Sequence, residues 1–282
     1  MSSLPEEIIV NIISRLPVKS ILRFRCVCKP WCKVISSPNF IQTQVKHAIE
    51  NNNISLMLKT RDLYSIDYDA SSSLSLSDEV VEIDYPFKSP NHFVRIEASC
   101  NGLLCINISW DDSFCFICLW NPSTKEYKKI PTPPIKYPSH LLPHHIEMLR
   151  LYNLIHHPFT YGFGYDCNIE DKKLVRIVDL RSSGSEFRVY TLGSNSWRLI
   201  PNVPYSSFYQ GRPGVLVNGA LHWTATHCNE SKSVVSFDIG DERFQGVPQP
   251  EYLDDKVHVS LGVLRGCLCI FGHLHMVRTM YG

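Results

Sequence analysis

No run of 18 apolar residues occurs among the 282 of this chain, so nothing in it reads as a single membrane-spanning helix. Charge of one sign is not in excess. The net charge is +1 at pH 7, too little to draw the chain to nucleic acid or to a membrane surface. Catalytic patterns are missing as well: no nucleophile elbow, phosphate-cradling loop, HExxH or paired-carboxylate motif is present. Gly162-Phe163-Gly164 is too short for a dinucleotide fingerprint, and Lys128-Lys129 and Lys172-Lys173 are isolated pairs at hairpin tips or edges, not a basic stripe. The chain opens on an amphipathic stretch, not on a charged segment followed by an apolar core, so no secretory signal is expected. The sequons at Asn53, Asn107 and Asn229 then carry no weight, and the eleven cysteines read as reduced thiols, mostly in small core positions. A cytoplasmic or nuclear location is the expectation.

The residues that tempt a metal or redox reading fail on geometry. Cys115 and Cys118 have CxxC spacing, but in an alternating strand positions three apart face opposite sides, and no second ligand pair stands at suitable spacing. His144, His145, His156 and His157 flank one polar loop; His273 and His275 share a strand face. Solvated histidines account for all six. No catalytic residue, metal or cofactor is expected.

What the sequence does have is concentrated at its start. Ile8, Ile9, Ile12, Ile13 and Leu16 recur at helical spacing. Ser3 and Glu6 have capping-box spacing, and Pro5 suits a first helical turn. Pro17 ends this helix. Ile21, Leu22, Phe24, Cys26 and Val27 make a second helix, apolar on more than one side. Pro30 and Trp31 open a third, and a fourth follows Pro38. So small a unit cannot bury this much apolar surface by itself, so a partner is implied.

The run Leu4-Pro5-Glu6-Glu7, Arg15-Leu16-Pro17-Val18-Lys19-Ser20 and Arg25-Cys26-Val27-Cys28-Lys29-Pro30-Trp31 resembles the F-box of plant F-box proteins. The resemblance implies docking on the SKP-type adaptor of a cullin-RING ubiquitin ligase. It assigns adaptor contact to Leu4, Pro5, Ile8, Ile12, Leu16, Pro17, Ile21, Leu22, Cys26, Val27 and Trp31, leaving open which of them face the module's own core. Pro30 departs from the family pattern; inside a helix it would cost about 3 kcal/mol and weaken docking, whereas a helix start tolerates it.

A second feature is an internal repeat. Residues 119–131, 189–201 and 236–248 align without gaps. Each has an aromatic at its second and ninth positions, a polar middle, an aliphatic twelfth and a final proline, the pattern of a β-hairpin. Asn101-Gly102 and Asn218-Gly219 each stand 18 residues ahead of such a unit, and Arg265-Gly266 follows the later one at an offset of 47. The second and third units are also 47 apart. Four strands in about 45 residues mark a β-propeller blade. The first offset, 70, is longer by an insertion at 132–160, read as a long loop between blades.

Asn101-Gly102-Leu103-Leu104-Cys105, Leu119-Trp120-Asn121-Pro122-Ser123-Thr124-Lys125 and Tyr161-Gly162-Phe163-Gly164-Tyr165-Asp166 resemble the F-box-associated, kelch-like propeller domain of plant F-box proteins. The fold class expected is therefore α + β multidomain: an all-α F-box at 1–46, a linker at 47–54 and an all-β propeller at 55–282. Blades are expected near 55–86, 95–131, 161–201 and 213–248. A hairpin due at position 283 falls beyond Gly282, so the propeller is expected to be incomplete at its C-terminus.

The two resemblances imply a non-catalytic substrate-recognition subunit. It would hold the adaptor, and through it a cullin scaffold, by the F-box, and an unidentified target protein by the propeller. The insertion at 132–160 is the first place to seek target contacts. Alternatives are an F-box protein that binds adaptor without delivering a target, or a propeller enzyme, which would need acidic or metal-ligating residues converging from several blades.

Overall fold

The computed structural model describes residues 5–51, 54–60, 62–68, 80–110, 114–137, 142–144, 146, 159–180, 184–201, 203–208, 212–227, 231–249 and 257–274. Helices come first: α1 (Glu6–Ile13), α2 (Val18–Arg25), α3 (Lys29–Ile35) and α4 (Pro38–Glu50). Prolines set their boundaries. The Pro5 carbonyl accepts from the Ile8 and Ile9 N–H groups at 3.1 and 3.2 Å, and that of Pro17 from Ser20 and Ile21 at 2.9 and 3.1 Å. Pro5 thus precedes the first turn that the sequence suggested for it, and Ser3 lies outside the described residues. Pro30 falls in the first turn of α3, where its missing N–H forfeits no helical bond. α1 stops at Ile13 with Ser14 as its cap, well short of Pro17. The Ser37 hydroxyl caps α4 by accepting from Phe40 N at 3.3 Å.

The strands that follow pair antiparallel throughout the described residues. β1 (Ile54–Lys59), β2 (Leu63–Tyr68) and β3 (Val81–Glu82) form a three-stranded sheet. β4 (His92–Cys100), β5 (Leu103–Trp110), β6 (Phe114–Trp120) and β7 (Tyr127–Ile130) form a four-stranded sheet in chain order. So do β8 (Phe159–Asp166), β9 (Asp171–Asp179), β10 (Ser185–Thr191) and β11 (Ser196–Ile200). In the next sheet β12 (Tyr205–Phe208) and β13 (Val215–Val217) both pair β14 (Ala220–His227), which continues to β15 (Lys232–Asp238) and β16 (Phe244–Val247). β17 (Val257–Leu264) and β18 (Cys267–Leu274) form a hairpin. This is the blade-by-blade order that the repeat predicts.

The repeat is explained by strand register. Its second and ninth residues are cross-strand partners in every copy: Trp120 with Tyr127, Tyr190 with Trp197, Phe237 with Phe244. The rings of the last two pairs lie 5.2 and 5.1 Å apart, and such pairs stabilise a hairpin. The seventh residue of each copy, Lys125, Asn195 or Glu242, takes positive φ in the turn. The Asn101-Gly102 and Asn218-Gly219 turns have both residues at positive φ, which a two-residue hairpin requires.

Apolar cores lie between sheets, as in stacked blades. One joins Leu63 of β2 to Ile106 and Trp120 of the following sheet. A second joins Leu119 and Ile130 to Tyr161 and Leu174. A third joins Val175 and Phe187 to Leu221, Trp223 and Phe237. Gly162 permits the last approach: a Cβ there would meet Trp223 Cζ2 at 2.6 Å. Close blade packing, not a nucleotide, is what Gly162-Phe163-Gly164 serves. Among the described residues no helix is long and apolar enough to cross a membrane.

Candidate docking surfaces

The helical module closes on four buried residues: Ile13, Ile21, Ile35 and Phe40. Leu16, Phe24 and Trp31 pack against them, with Phe24 and Trp31 edge to face at 5.4 Å. Ile21 is 4% exposed, so of the residues assigned to adaptor contact it belongs to the module's interior. Leu16 and Trp31 lean on that interior as half-buried residues, and Leu22 is also half-buried. Pro5, Ile8, Ile12, Pro17, Cys26 and Val27 are exposed. Ile8, Ile12 and Val27 stand 46%, 53% and 63% open among the described residues. Leu4 lies outside the described residues. Across to the sheets, Arg25 pairs with Glu126 at 3.2 Å and Gln42 donates to the Tyr165 hydroxyl at 2.6 Å.

Sequence reading placed no charged residue inside the sheets. The structure puts several there. Arg176 and Arg188 both grip Glu186, at 2.9 and 2.8 Å, with all three nearly sealed from solvent. Arg176 also donates to Pro133 O at 2.8 Å, the Lys136 N–H donates to Glu186 at 2.9 Å, and Trp197 Nε1 donates to Pro131 O at 2.6 Å. The start of the 132–160 insertion is therefore not a free loop; it is a strap laid across the sheet and tied by this triad. Burial pushes the Glu186 carboxyl up, but the Arg188 hydrogen bond, the Lys136 N–H and Arg176 outweigh it and hold it below the usual range.

Lys173 needs a correction. The sequence places the Lys172-Lys173 pair at a hairpin tip or edge. Lys173 is buried, bonded to Asp166 at 2.6 Å, to Glu242 at 2.7 Å and to Ile239 O at 2.9 Å. It clasps the sheet of β8–β11 to the next. The signal was available only in part, because Lys-Lys in a strand places one of the two on the inner face.

Cys115 is exposed and Cys118 buried, on opposite faces of β6, as alternation requires. Among the described residues no group of three His, Cys, Asp or Glu is placed to hold a metal ion. Of the histidines considered above, His145, His156, His157 and His275 lie outside the described residues. A cavity of about 450 Å³ opens between β1 and β4–β5, lined by Met57, Lys59, Arg95, Ile96, Ser99 and Leu104. Beside it Glu97, at a bulge in β4, is 3% exposed and pairs with Arg95 at 3.6 Å; burial raises its carboxyl above the ordinary range.

A small helical module that exposes an apolar face among the described residues, joined to an array of antiparallel blades, defines a two-part protein. Comparison with known proteins gives its family. The F-box associated beta propeller domain matches residues 54–276 and the F-box domain matches residues 1–43; the chain belongs to this family of plant F-box proteins. Its relatives in Arabidopsis thaliana include the F-box/kelch-repeat protein At3g23880, 28% identical over 94% of this chain and 71% of its own length. The F-box protein CPR1 is 28% identical over 96% of this chain and 66% of its own. The F-box protein At3g07870 is 30% identical over 95% and 66%. The chain thus spans about two thirds of the length of the curated relatives it matches.

Proposed function

We propose that this protein is a substrate-recognition subunit of an SCF-type ubiquitin ligase. The helical module binds an SKP-type adaptor, which carries a cullin scaffold, and the sheets hold a target protein. The observation that carries the reading is the apolar face that Ile8 and Ile12 of α1 and Val27, just after α2, leave exposed among the described residues, where the module's core has four buried residues. The family supports it. The mechanism is proximity: two sites on one chain raise the effective concentration of target lysines near the ubiquitin donor. No chemistry is asked of the chain itself. Its place of action is the cytoplasm, the nucleus or both, where adaptor and cullin would meet it.

The test is capture of purified adaptor by the full chain. Ile12→Asp with Val27→Asp is expected to abolish capture while the melting temperature stays within a degree or two, because both side chains are already exposed. Capture that survives both substitutions overturns the adaptor face.

A further inference from the structure

The turn ahead of β4 contains a residue in a costly conformation. Lys88 N bonds back to Tyr85 O at 3.3 Å, closing a turn with Pro86 and Phe87 at its centre. Phe87 has φ of 63°. That place in such a turn suits glycine or asparagine, and for a bulky side chain it is strained. The strain does not secure burial, since Phe87 remains 41% exposed. It sets the ring edge-on to Phe116 at 5.2 Å and to Tyr127 at 5.1 Å. Tyr127 is itself 54% exposed. Two aromatic rings are thereby held at the surface on a third, buried one.

Two lysines stand beside these rings, in a neighbourhood that also holds Asp62, Glu82, Asp84 and Glu126. The Lys129 ammonium lies 4.1 Å from the Phe116 ring centre, and that of Lys125 lies 5.6 Å from the Trp120 ring. Both lysines are exposed, and neither has a carboxylate within ion-pair distance among the described residues, although Lys125 Nζ donates to the Asp84 carbonyl at 3.4 Å. The nearby Glu126 is engaged by Arg25, and Glu82 and Asp62 by Lys88. β7, which carries Tyr127 and Lys129, is the last strand of its sheet. Its outer backbone edge is therefore open to an added strand among the described residues.

We propose that Phe87, Tyr127, Lys125 and Lys129 form a docking ledge for an extended acidic segment of a partner protein. The segment lies along the β7 edge, sets an apolar side chain on the exposed rings and brings carboxylates to the two lysines. Strand addition supplies main-chain bonds and the rings and cations supply selectivity. Charge complementarity selects this occupant. Edge lysines alone would serve to repel other strands, but they would not require an exposed aromatic in a strained turn. The inference rests on the receptor reading above and names a target-holding surface within it; adaptor capture and ledge binding can fail independently.

The test is fluorescence anisotropy of the full chain with a labelled peptide of alternating Asp and Phe, against one of alternating Lys and Phe. The acidic probe is expected to bind at least tenfold tighter than the basic one. Phe87→Gly, which suits the turn, and Lys129→Glu, at an exposed position, are each expected to weaken it at least tenfold, with a cooperative thermal melt of each variant showing that it folds. No binding of the acidic probe, equal binding of the two probes, or unchanged affinity in Lys129→Glu overturns the proposal.

Discussion

Single residues in this chain are legible where backbone chemistry constrains them. Three two-residue hairpin turns need positive φ twice, and Asn-Gly supplies it at 101–102 and 218–219. The third uses Arg265-Gly266, with Arg265 at φ 52°. Arginine has no short side chain to support that conformation, which costs an ordinary residue about 1 kcal/mol more than asparagine. Arg265→Asn is therefore expected to stabilise the chain by about 1 kcal/mol, read as a higher urea midpoint with an unchanged slope. Phe87 carries a similar burden, of order 1–3 kcal/mol, and there the strain coincides with an exposed aromatic surface. Nothing in local sequence distinguishes the two cases. Only the neighbours of each residue do.

At the scale of elements, the repeated hairpin is a unit whose pattern can be read directly. An aromatic at positions two and nine, seven residues apart across a four-residue turn, can only be a cross-strand pair on one face. How hairpins stack is decided by what each strand presents to the next sheet. Gly162 on β8 lets Leu221 and Trp223 approach to within 2.8 and 2.6 Å of the place a Cβ would occupy. Gly162→Ala is expected to cost about 1–3 kcal/mol through overpacking. Thermal unfolding followed by tryptophan fluorescence would show it as a lower melting temperature with a changed Trp223 environment. An unchanged melting temperature would mean that the two sheets can part without loss.

For the whole molecule, stability depends on charges between sheets and under the strap. Asp166 and Glu186 both have carboxyls held below their ordinary range: burial pushes each up, and the Lys173 bond for Asp166, like the Arg188 bond for Glu186, outweighs it. The folded chain therefore holds these protons less tightly than the unfolded chain. The stability they contribute is fully present above their unfolded pKa, near about 4, and is lost as pH falls through the lower folded values. Unfolding free energy is expected to drop steeply on acidification below about pH 4. Glu186→Gln is expected to lose about 3 kcal/mol at pH 7, because two buried arginines lose their counter-charge, and to flatten the acid slope. Denaturant titrations at several pH values check both. A mutant slope equal to that of the native chain would remove Glu186 from this account.

The amino-acid sequence by itself determined the helical module, the hairpins, their repeat and their order, because periodicity and turn chemistry act within a few residues. It determined the family for the same reason, since the motifs that carry it are local. Tertiary structure decided what burial decides. It turned Lys173 and the Arg176–Glu186–Arg188 triad inward, although charge alone predicts a solvated face. It laid residues 131–136 across a sheet instead of leaving them as loop. It sorted the apolar residues of the first helices into an interior that includes Ile21 and a surface that keeps Ile8, Ile12 and Val27. Whether a side chain meets water depends on elements far away in the chain, and no local pattern contains that distance.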